Sequence, residues 1–144
     1  MLAGMFIRIT DQVSVAPQIS AADVAQAAAA GFTAIVNNRP DGESFDQPPG
    51  AEIAAAAAAA GLAYVAIPID QSGFSPDHVA AMADVLAGHP HVLAYCRSGT
   101  RSCNLWALAA ASRGGDPEAI ISAAEGGGYN VAGLTPILRQ LSRP

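Results

Sequence analysis

The sequence predicts an α/β domain in three layers, with a mostly parallel central sheet of four or five strands flanked by helices. Short apolar runs alternate along the chain with longer, often alanine-rich segments that begin at helix caps. This alternation is typical of parallel strands joined by helices on both faces of a sheet. The 144 residues contain no repeat and no linker, so we expect one domain over residues 1–144.

The strands are predicted from short apolar runs bounded by turn residues. The first run alternates apolar and polar residues, which is typical of an edge strand, and Pro17 ends the second. Each of the other three follows directly after a glycine or a proline. The predicted strands are Phe6–Thr10, Val13–Ala16, Phe32–Asn37, Leu62–Ile67 and His91–Tyr95.

The helices are predicted from their caps and stops. Ser20 and Ser75 are good N-caps, Pro76 suits a first helical position, and Gly31 and Gly61 are good stops. The run of seven alanines inside the second helix suits close packing on a sheet, because alanine is the best helix former. The predicted helices span residues 21–30, 51–60, 76–87, 102–113, 117–125 and 134–141.

Composition and charge exclude several classes of partner. The net charge of −5 argues against a general nucleic-acid or anionic-membrane surface. No apolar run is long enough for a membrane span, and Met1–Ile7 is too short for a signal peptide before Arg8 interrupts it. We therefore expect a cytoplasmic protein with no nucleic-acid or membrane partner.

The cysteines and histidines do not form a disulfide framework or a metal site. Cys96 and Cys103 lie seven residues apart, and the three histidines lack ligand spacing, so we expect no metal and no cofactor. Cys103 is interpreted as core packing on a helix face. The alternative is a resolving thiol for an oxidised or persulfidated Cys96.

The segment Cys96–Ser102 is the candidate active loop. Cys96 ends an apolar strand, and a short polar loop leads from it into a helix. The first N–H groups of a helix lack internal partners and carry partial positive charge, so such a loop binds anions. Thiol pKa values fall from about 8.5 to roughly 3.5–7.5 in such surroundings, and we expect Cys96 to be ionised at neutral pH. The alternative is a buried structural cysteine.

Each residue of this loop has an expected role in holding an oxyanion substrate. Arg101 can donate a two-pronged hydrogen bond, and Ser102 can donate to the Cys96 sulfur or cap the helix. Gly99 is expected to allow a backbone angle or a close approach that other residues do not tolerate. The residues expected to bind substrate through this loop are Arg97, Ser98, Gly99 and Thr100.

Two neighbouring loops supply further candidates, because the carboxyl ends of parallel strands share one rim. Arg39 either leans toward the anion site or pairs with Asp41 or Glu43 and shapes its own loop. Asp70 is the candidate general acid for a leaving alkoxide, and its alternative role is that of an ordinary turn former. Asp41 and Glu43 are weaker candidates for the acid.

The sequence Cys-Arg-Ser-Gly-Thr-Arg-Ser at 96–102 resembles the active loop of rhodaneses and cysteine-dependent phosphatases. A wider resemblance, from about Ile9 to Leu108, is to the bacterial beta-lactamase hydrolase-like, phosphatase-like domain family, DUF442. The segments that carry it are Val13–Ser20, Asn38–Glu43, Gln47–Pro48, Ile67–Ile69 and Cys96–Ser102. The resemblance implies a dual-specificity-phosphatase-like fold, in a family whose members are described as phosphatases or as sulfur transferases.

Loop length favours sulfur transfer over phosphate transfer. The spacing from Cys96 to Arg101 is Cys-x4-Arg, as in rhodaneses. The protein phosphatases that this loop also resembles use Cys-x5-Arg, which is one residue longer. We therefore expect a Cys96 persulfide, formed from a small anionic sulfur donor and passed to a thiol acceptor. The alternative is hydrolysis of a phosphate ester through a Cys96 phosphocysteine with Asp70 as acid. A second alternative is a non-catalytic anion-binding module. Both enzymatic hypotheses fail if the Cys96 side chain is buried away from solvent with no backbone amides converging beside it.

Overall fold

The computed structural model describes residues 6–143 and contains one five-stranded sheet in the order β1-β2-β5-β3-β4. Only β1 is antiparallel to its neighbour. The expected α/β class and mostly parallel sheet are therefore confirmed. The strands are β1 (Ile7–Arg8), β2 (Val13–Ala16), β3 (Ala34–Asn37), β4 (Ala63–Ala66) and β5 (Val92–Tyr95).

Six α-helices flank this sheet in the described part of the chain. They are α1 (Ala21–Ala29), α2 (Gly50–Ala60), α3 (Pro76–Gly88), α4 (Thr100–Ser112), α5 (Pro117–Gly126) and α6 (Thr135–Leu141). A short 3-10 turn, Ala132–Leu134, precedes α6. All six predicted helices are present. The predicted start of α4 at Ser102 is wrong by two residues, because Gly99 acts as its N-cap.

The hydrophobic core forms two clusters, one on each face of the sheet. Val36 and Ala94 belong to the cluster under α3, α4, α5 and α6, whereas Ile35 and Leu93 belong to the cluster under α1 and α2. Neighbouring residues of one strand thus face opposite layers, as the strand period of two requires. Each fully buried valine, leucine or isoleucine side chain contributes about 1.5–3 kcal/mol. The three-layer arrangement follows from this alternation.

The carboxyl ends of the parallel strands lie along one rim of the sheet. Asn37 pairs in register with Tyr95 of β5 and with Ala66 of β4. The next residues are tied across the same rim, where the Asn38 amide donates to the Tyr95 carbonyl at 2.8 Å. The exit loops of β3, β4 and β5 therefore meet at one site.

Within residues 6–143, no helix has both the length and the apolar content that crossing a membrane requires. Most of the Met1–Ile7 segment, considered above as a signal peptide, lies outside the described residues.

Candidate active site

Cys96 lies immediately after β5, beneath the loop that leads into α4. Its amide donates to the Ala16 carbonyl at 3.3 Å, which anchors it at the sheet rim. Its side chain has 0% exposure, and the Gly99 amide donates to the Cys96 Sγ at 3.1 Å. The sulfur is thus buried, which counts against the enzymatic hypotheses, but the Gly99 amide points at it, which keeps them open.

Gly99 gives the loop its turn. Its φ of 92° and ψ of −13° lie in the left-handed region, where glycine has no Cβ penalty. A Cβ added at this position would also collide with the Tyr129 hydroxyl. The special backbone angle expected for Gly99 is present, and it turns the chain directly into α4.

The remaining loop amides form a set of donors at the start of α4. The Thr100 amide lies 3.4 Å from the Ser98 hydroxyl oxygen, a long hydrogen bond. Four other amides form no hydrogen bond within residues 6–143; they belong to Arg97, Ser98, Arg101 and Ser102. Unpaired N–H groups at the start of a helix are suited to the oxygens of an anion. The loop can therefore supply several backbone donors.

Arg101 is held by two partners, and within residues 6–143 one edge of its guanidinium makes no hydrogen bond. Nη1 and Nη2 donate to the two oxygens of Glu43 at 2.7 and 2.9 Å, and Nη1 also donates to the Ile69 carbonyl at 2.8 Å. A guanidinium has five N–H donors, so Nε–H and one Nη2–H remain, and these lie side by side on one edge. The hydrogen bond with Glu43, with a smaller contribution from the Cys96 sulfur, raises the pKa of Arg101.

Glu43 joins this arginine to a second one. Arg39 Nε donates to the same carboxylate at 3.0 Å, while its Nη1 donates to Gln18 Oε1 at 3.0 Å. The hydrogen bond from Arg101, supported by that from Arg39, holds the pKa of Glu43 below its usual range. Arg39 is buried. Of its two expected roles, the structure shows the pairing with Glu43 that shapes the loop.

The Ser102 hydroxyl does not donate to the Cys96 sulfur, so the predicted hydrogen bond between them is wrong. Its hydroxyl donates instead to Asn38 Oδ1 at 2.8 Å, and a hydroxyl has only one hydrogen to donate. It is not the cap of α4 either, since Gly99 is. Asn38 Nδ2 in turn donates to the Ile67 carbonyl at 2.9 Å. Ser102 therefore connects α4 to the exits of β3 and β4.

Asp70 lies on the same rim but is exposed and occupied by its own turn. Its Oδ1 accepts from the Ser72 amide at 2.8 Å and from the Ser72 hydroxyl at 2.7 Å. These two bonds hold the pKa of Asp70 below its usual range. An open pocket of about 400 Å³ lies between Asp70 and Glu43. Asp70 thus has the predicted role of a turn former. It also lines the same pocket as Glu43, the ion-pair partner of Arg101.

Two other residues considered from the sequence, Asp41 and Cys103, have structural roles. Asp41 accepts from the Gly50 amide at the start of α2. Cys103 is fully buried in the apolar cluster, and burial raises the pKa of its thiol to about 12. The largest cavity described, about 610 Å³, lies among apolar side chains of α3, α4 and α6, away from Cys96.

Sequence reasoning missed Asn38 as a link and Gln18 as the partner of Arg39. The signal for Asn38 was its place directly after a buried strand, in the polar run Asn37–Arg39. Gln18 follows Pro17 at the exit of β2, so it lies at the same rim. Both residues precede the long loop, and their partners become evident only when the strand order is known.

Comparison with known proteins finds a family model that matches most of the chain. Residues 5–113 match the family model described as "Beta-lactamase hydrolase-like protein, phosphatase-like domain". A beta-lactamase hydrolase-like protein of Agrobacterium fabrum is 35% identical over 109 residues, which are 75% of this chain and 25% of that protein. The chain thus spans about a quarter of the length of the curated relatives it matches.

Solved structures show the same fold over almost the whole chain. A candidate phosphatase from Neisseria meningitidis is 28% identical with a TM-score of 0.79, covering 96% of this chain and 98% of that one. A kinase-associated phosphatase, solved with its catalytic-site cysteine replaced by serine, is 16% identical. It has a TM-score of 0.69, covers 92% of this chain and 88% of its own, and shows the fold alone. The fold is therefore phosphatase-like.

Proposed function

The chain belongs to the beta-lactamase hydrolase-like, phosphatase-like domain family, and from this premise we propose that it hydrolyses phosphate monoesters through Cys96. The observation that carries the proposal is the Gly99 amide directed at the Cys96 sulfur, inside a loop with further unpaired amides. The matched family is phosphatase-like and the similar solved structures are phosphatases or candidate phosphatases, whereas none of the matches supports sulfur transfer. The phosphate alternative therefore replaces the expectation of a persulfide.

The oxyanion would be held by the loop and by Arg101. The free edge formed by Nε–H and Nη2–H of Arg101 can donate to two oxygens, as a guanidinium does with phosphate. The unpaired loop amides can donate to the third. Such preorganised donors stabilise the charge that develops on the three equatorial oxygens in the transition state.

The first chemical step is attack of the Cys96 thiolate on phosphorus. The S–P bond forms while the bond from phosphorus to the ester oxygen breaks, and Asp70 gives that oxygen its proton. In the second step water attacks the phosphocysteine. Asp70 takes a proton from the water, the S–P bond breaks, and orthophosphate leaves with the thiolate restored.

Two features of the structure must change for this chemistry. Cys96 is fully covered, so a substrate can reach its sulfur only if groups that cover it move aside. Asp70 is bound to Ser72, so proton donation requires at least one of those hydrogen bonds to break. Both groups lie at loops on one rim, where movement is easiest.

The test is hydrolysis of para-nitrophenyl phosphate by the wild type and by Cys96→Ser. We expect wild-type turnover, a phosphoryl adduct on Cys96 in acid-quenched samples by mass spectrometry, and loss of both in the variant. Orthophosphate binding to the variant should persist, since the amides and Arg101 remain.

The same experiment separates the other two hypotheses. Thiosulfate with cyanide is offered in parallel, because the Cys-x4-Arg spacing resembles that of rhodaneses. A sulfur adduct on Cys96 without ester hydrolysis would contradict the proposal in favour of sulfur transfer. Orthophosphate binding with neither reaction would identify an anion-binding module.

A further inference from the structure

Tyr129 covers the active loop from a segment that follows α5. Its hydroxyl donates to the Ser98 carbonyl at 3.0 Å, and its ring packs against the apolar cluster below α4. It lies directly against Gly99, where an added Cβ would collide with the hydroxyl. Burial, with smaller contributions from Cys103 and Cys96, raises the pKa of the Tyr129 phenol. The phenol therefore stays a hydrogen-bond donor at neutral pH.

The carbonyl that Tyr129 binds and the amide that faces Cys96 belong to the same peptide unit. Ser98 supplies the carbonyl, and Gly99 supplies the N–H that donates to Sγ at 3.1 Å. A trans peptide is planar, and its C=O and N–H point in opposite directions. Holding the carbonyl on the Tyr129 side therefore holds the N–H on the sulfur side.

We propose that Tyr129 is a positioning residue that locks the Ser98–Gly99 peptide with its N–H facing Cys96 and the bound oxyanion. The alternative orientation of this peptide would turn a carbonyl oxygen toward the sulfur and repel an anion. Gly99 makes that rotation accessible, because its positive φ is one of several backbone conformations that glycine adopts. Tyr129 removes this freedom, and the inference rests on the proposed function of the loop.

The chain is built to bring Tyr129 to this position. The Tyr129 amide donates to the Ala124 carbonyl at 2.9 Å, which ties the residue to the end of α5. Gly128 has a φ of 90°, and Gly127 lies so close to Ile9 that a Cβ would come within 2.6 Å of its Cδ1. The glycines after α5 thus turn the chain back across the sheet edge. This segment follows residues 5–113, the range that matches the family model.

The test is Tyr129→Phe, which keeps the ring and removes only the donor. We expect a loss of about 3- to 10-fold in orthophosphate affinity by calorimetry, the effect of one lost hydrogen bond. The inhibition constant of orthophosphate against para-nitrophenyl phosphate should rise by the same factor. The melting temperature should stay near that of the wild type, because the packing of the ring is unchanged.

Ser112→Ala is the matched control. It removes a hydroxyl that donates to a backbone carbonyl at 2.7 Å, at the opposite end of α4 from the loop. Its orthophosphate affinity should equal that of the wild type. If Tyr129→Phe lowers kcat alone and leaves orthophosphate affinity unchanged, Tyr129 has a structural role only and the inference is overturned.

The inference and the proposed function fail in different ways. Wild-type ester hydrolysis with unchanged orthophosphate affinity in Tyr129→Phe overturns the inference and keeps the function. Weakened orthophosphate binding in Tyr129→Phe, with no hydrolysis by the wild type, keeps the inference and overturns the function. Absence of orthophosphate binding to the wild type overturns both.

Discussion

Replacing Glu43 with glutamine tests whether its ion pair with Arg101 aims the guanidinium at a substrate or competes with the substrate for it. The carboxylate accepts two parallel bonds from Arg101, at 2.7 and 2.9 Å, and a third from Arg39 at 3.0 Å. Glutamine has one acceptor oxygen, and its NH2 group would face the N–H donors of a guanidinium. At least one bond that orients Arg101 is therefore lost.

The magnitude follows from two opposing effects. Loss of one charge-assisted hydrogen bond costs about 1.5–3 kcal/mol, and complete loss of one oxyanion donor costs roughly 2.7–4 kcal/mol. Since Arg101 keeps its bond to the Ile69 carbonyl, we expect a partial loss of orientation. Removing a carboxylate also relieves repulsion of the substrate, by about 1 kcal/mol at 4 Å in water. That relief is small here, because Glu43 already faces two arginines.

The lost orientation of Arg101 should therefore outweigh the relieved repulsion of the substrate. We expect kcat/KM for para-nitrophenyl phosphate to fall by about 10- to 100-fold. Steady-state kinetics measure it, with Glu118→Gln as the control, since Glu118 is exposed in the first turn of α5. The hydrogen bond from Arg101 holds the pKa of Glu43 below its usual range, so the wild-type ion pair is lost only as the pH falls through this lowered pKa. A Glu43→Gln variant with a lower KM and an undiminished kcat would refute the reasoning.

Two further predictions concern Asp70 and Gly99. Ser72 holds the pKa of Asp70 below its usual range, so Ser72→Ala should raise that pKa and move the alkaline limb of the kcat/KM profile to higher pH. Asp70→Asn should slow phenyl phosphate more than para-nitrophenyl phosphate, because the poorer leaving group needs the proton; equal slowing would remove Asp70 from the mechanism. Gly99→Ala should lower the melting temperature of the protein by more than Gly114→Ala does. Both glycines have a φ of 92°, each costing about 1–3 kcal/mol as alanine, but only Gly99 has Tyr129 against it. Equal losses would show that the collision does not matter.

Much of the fold is predictable because its signals are local. Val13–Ala16 is a strand with both boundaries as predicted, since Pro17 directly limits it. The predicted strand Phe6–Thr10 shortens to Ile7–Arg8, because an edge strand is defined by its pairing with a single neighbour. The predicted start of α4 is two residues too late, because the left-handed backbone of Gly99 begins the helix without a side-chain cap.

In the candidate site, too, local features are predictable from the sequence and long-range contacts are not. Cys96, Gly99 and Arg101 follow from a few adjacent residues, whereas the partners of the loop lie far away in sequence. Arg101 meets Glu43 across 58 positions, and Ser102 meets Asn38 across 64. A hydroxyl near a thiol in sequence suggests a contact, but the direction of its single hydrogen depends on which strand lies alongside. That neighbour is set by the strand order, which local patterns do not encode.

The anion-binding groups of the loop 96–102 do not by themselves distinguish phosphate from sulfur chemistry. Unpaired loop amides and the free edge of Arg101 suit the three oxygens of a transferring phosphoryl group, and they suit the three oxygens of thiosulfate equally well. The two reactions differ in the leaving group, because an alkoxide needs a proton and sulfite does not. The discriminating residue is therefore Asp70, across the pocket of about 400 Å³ from Glu43. A rate that depends on Asp70 and on leaving-group basicity requires ester cleavage, whatever the length of the cysteine loop.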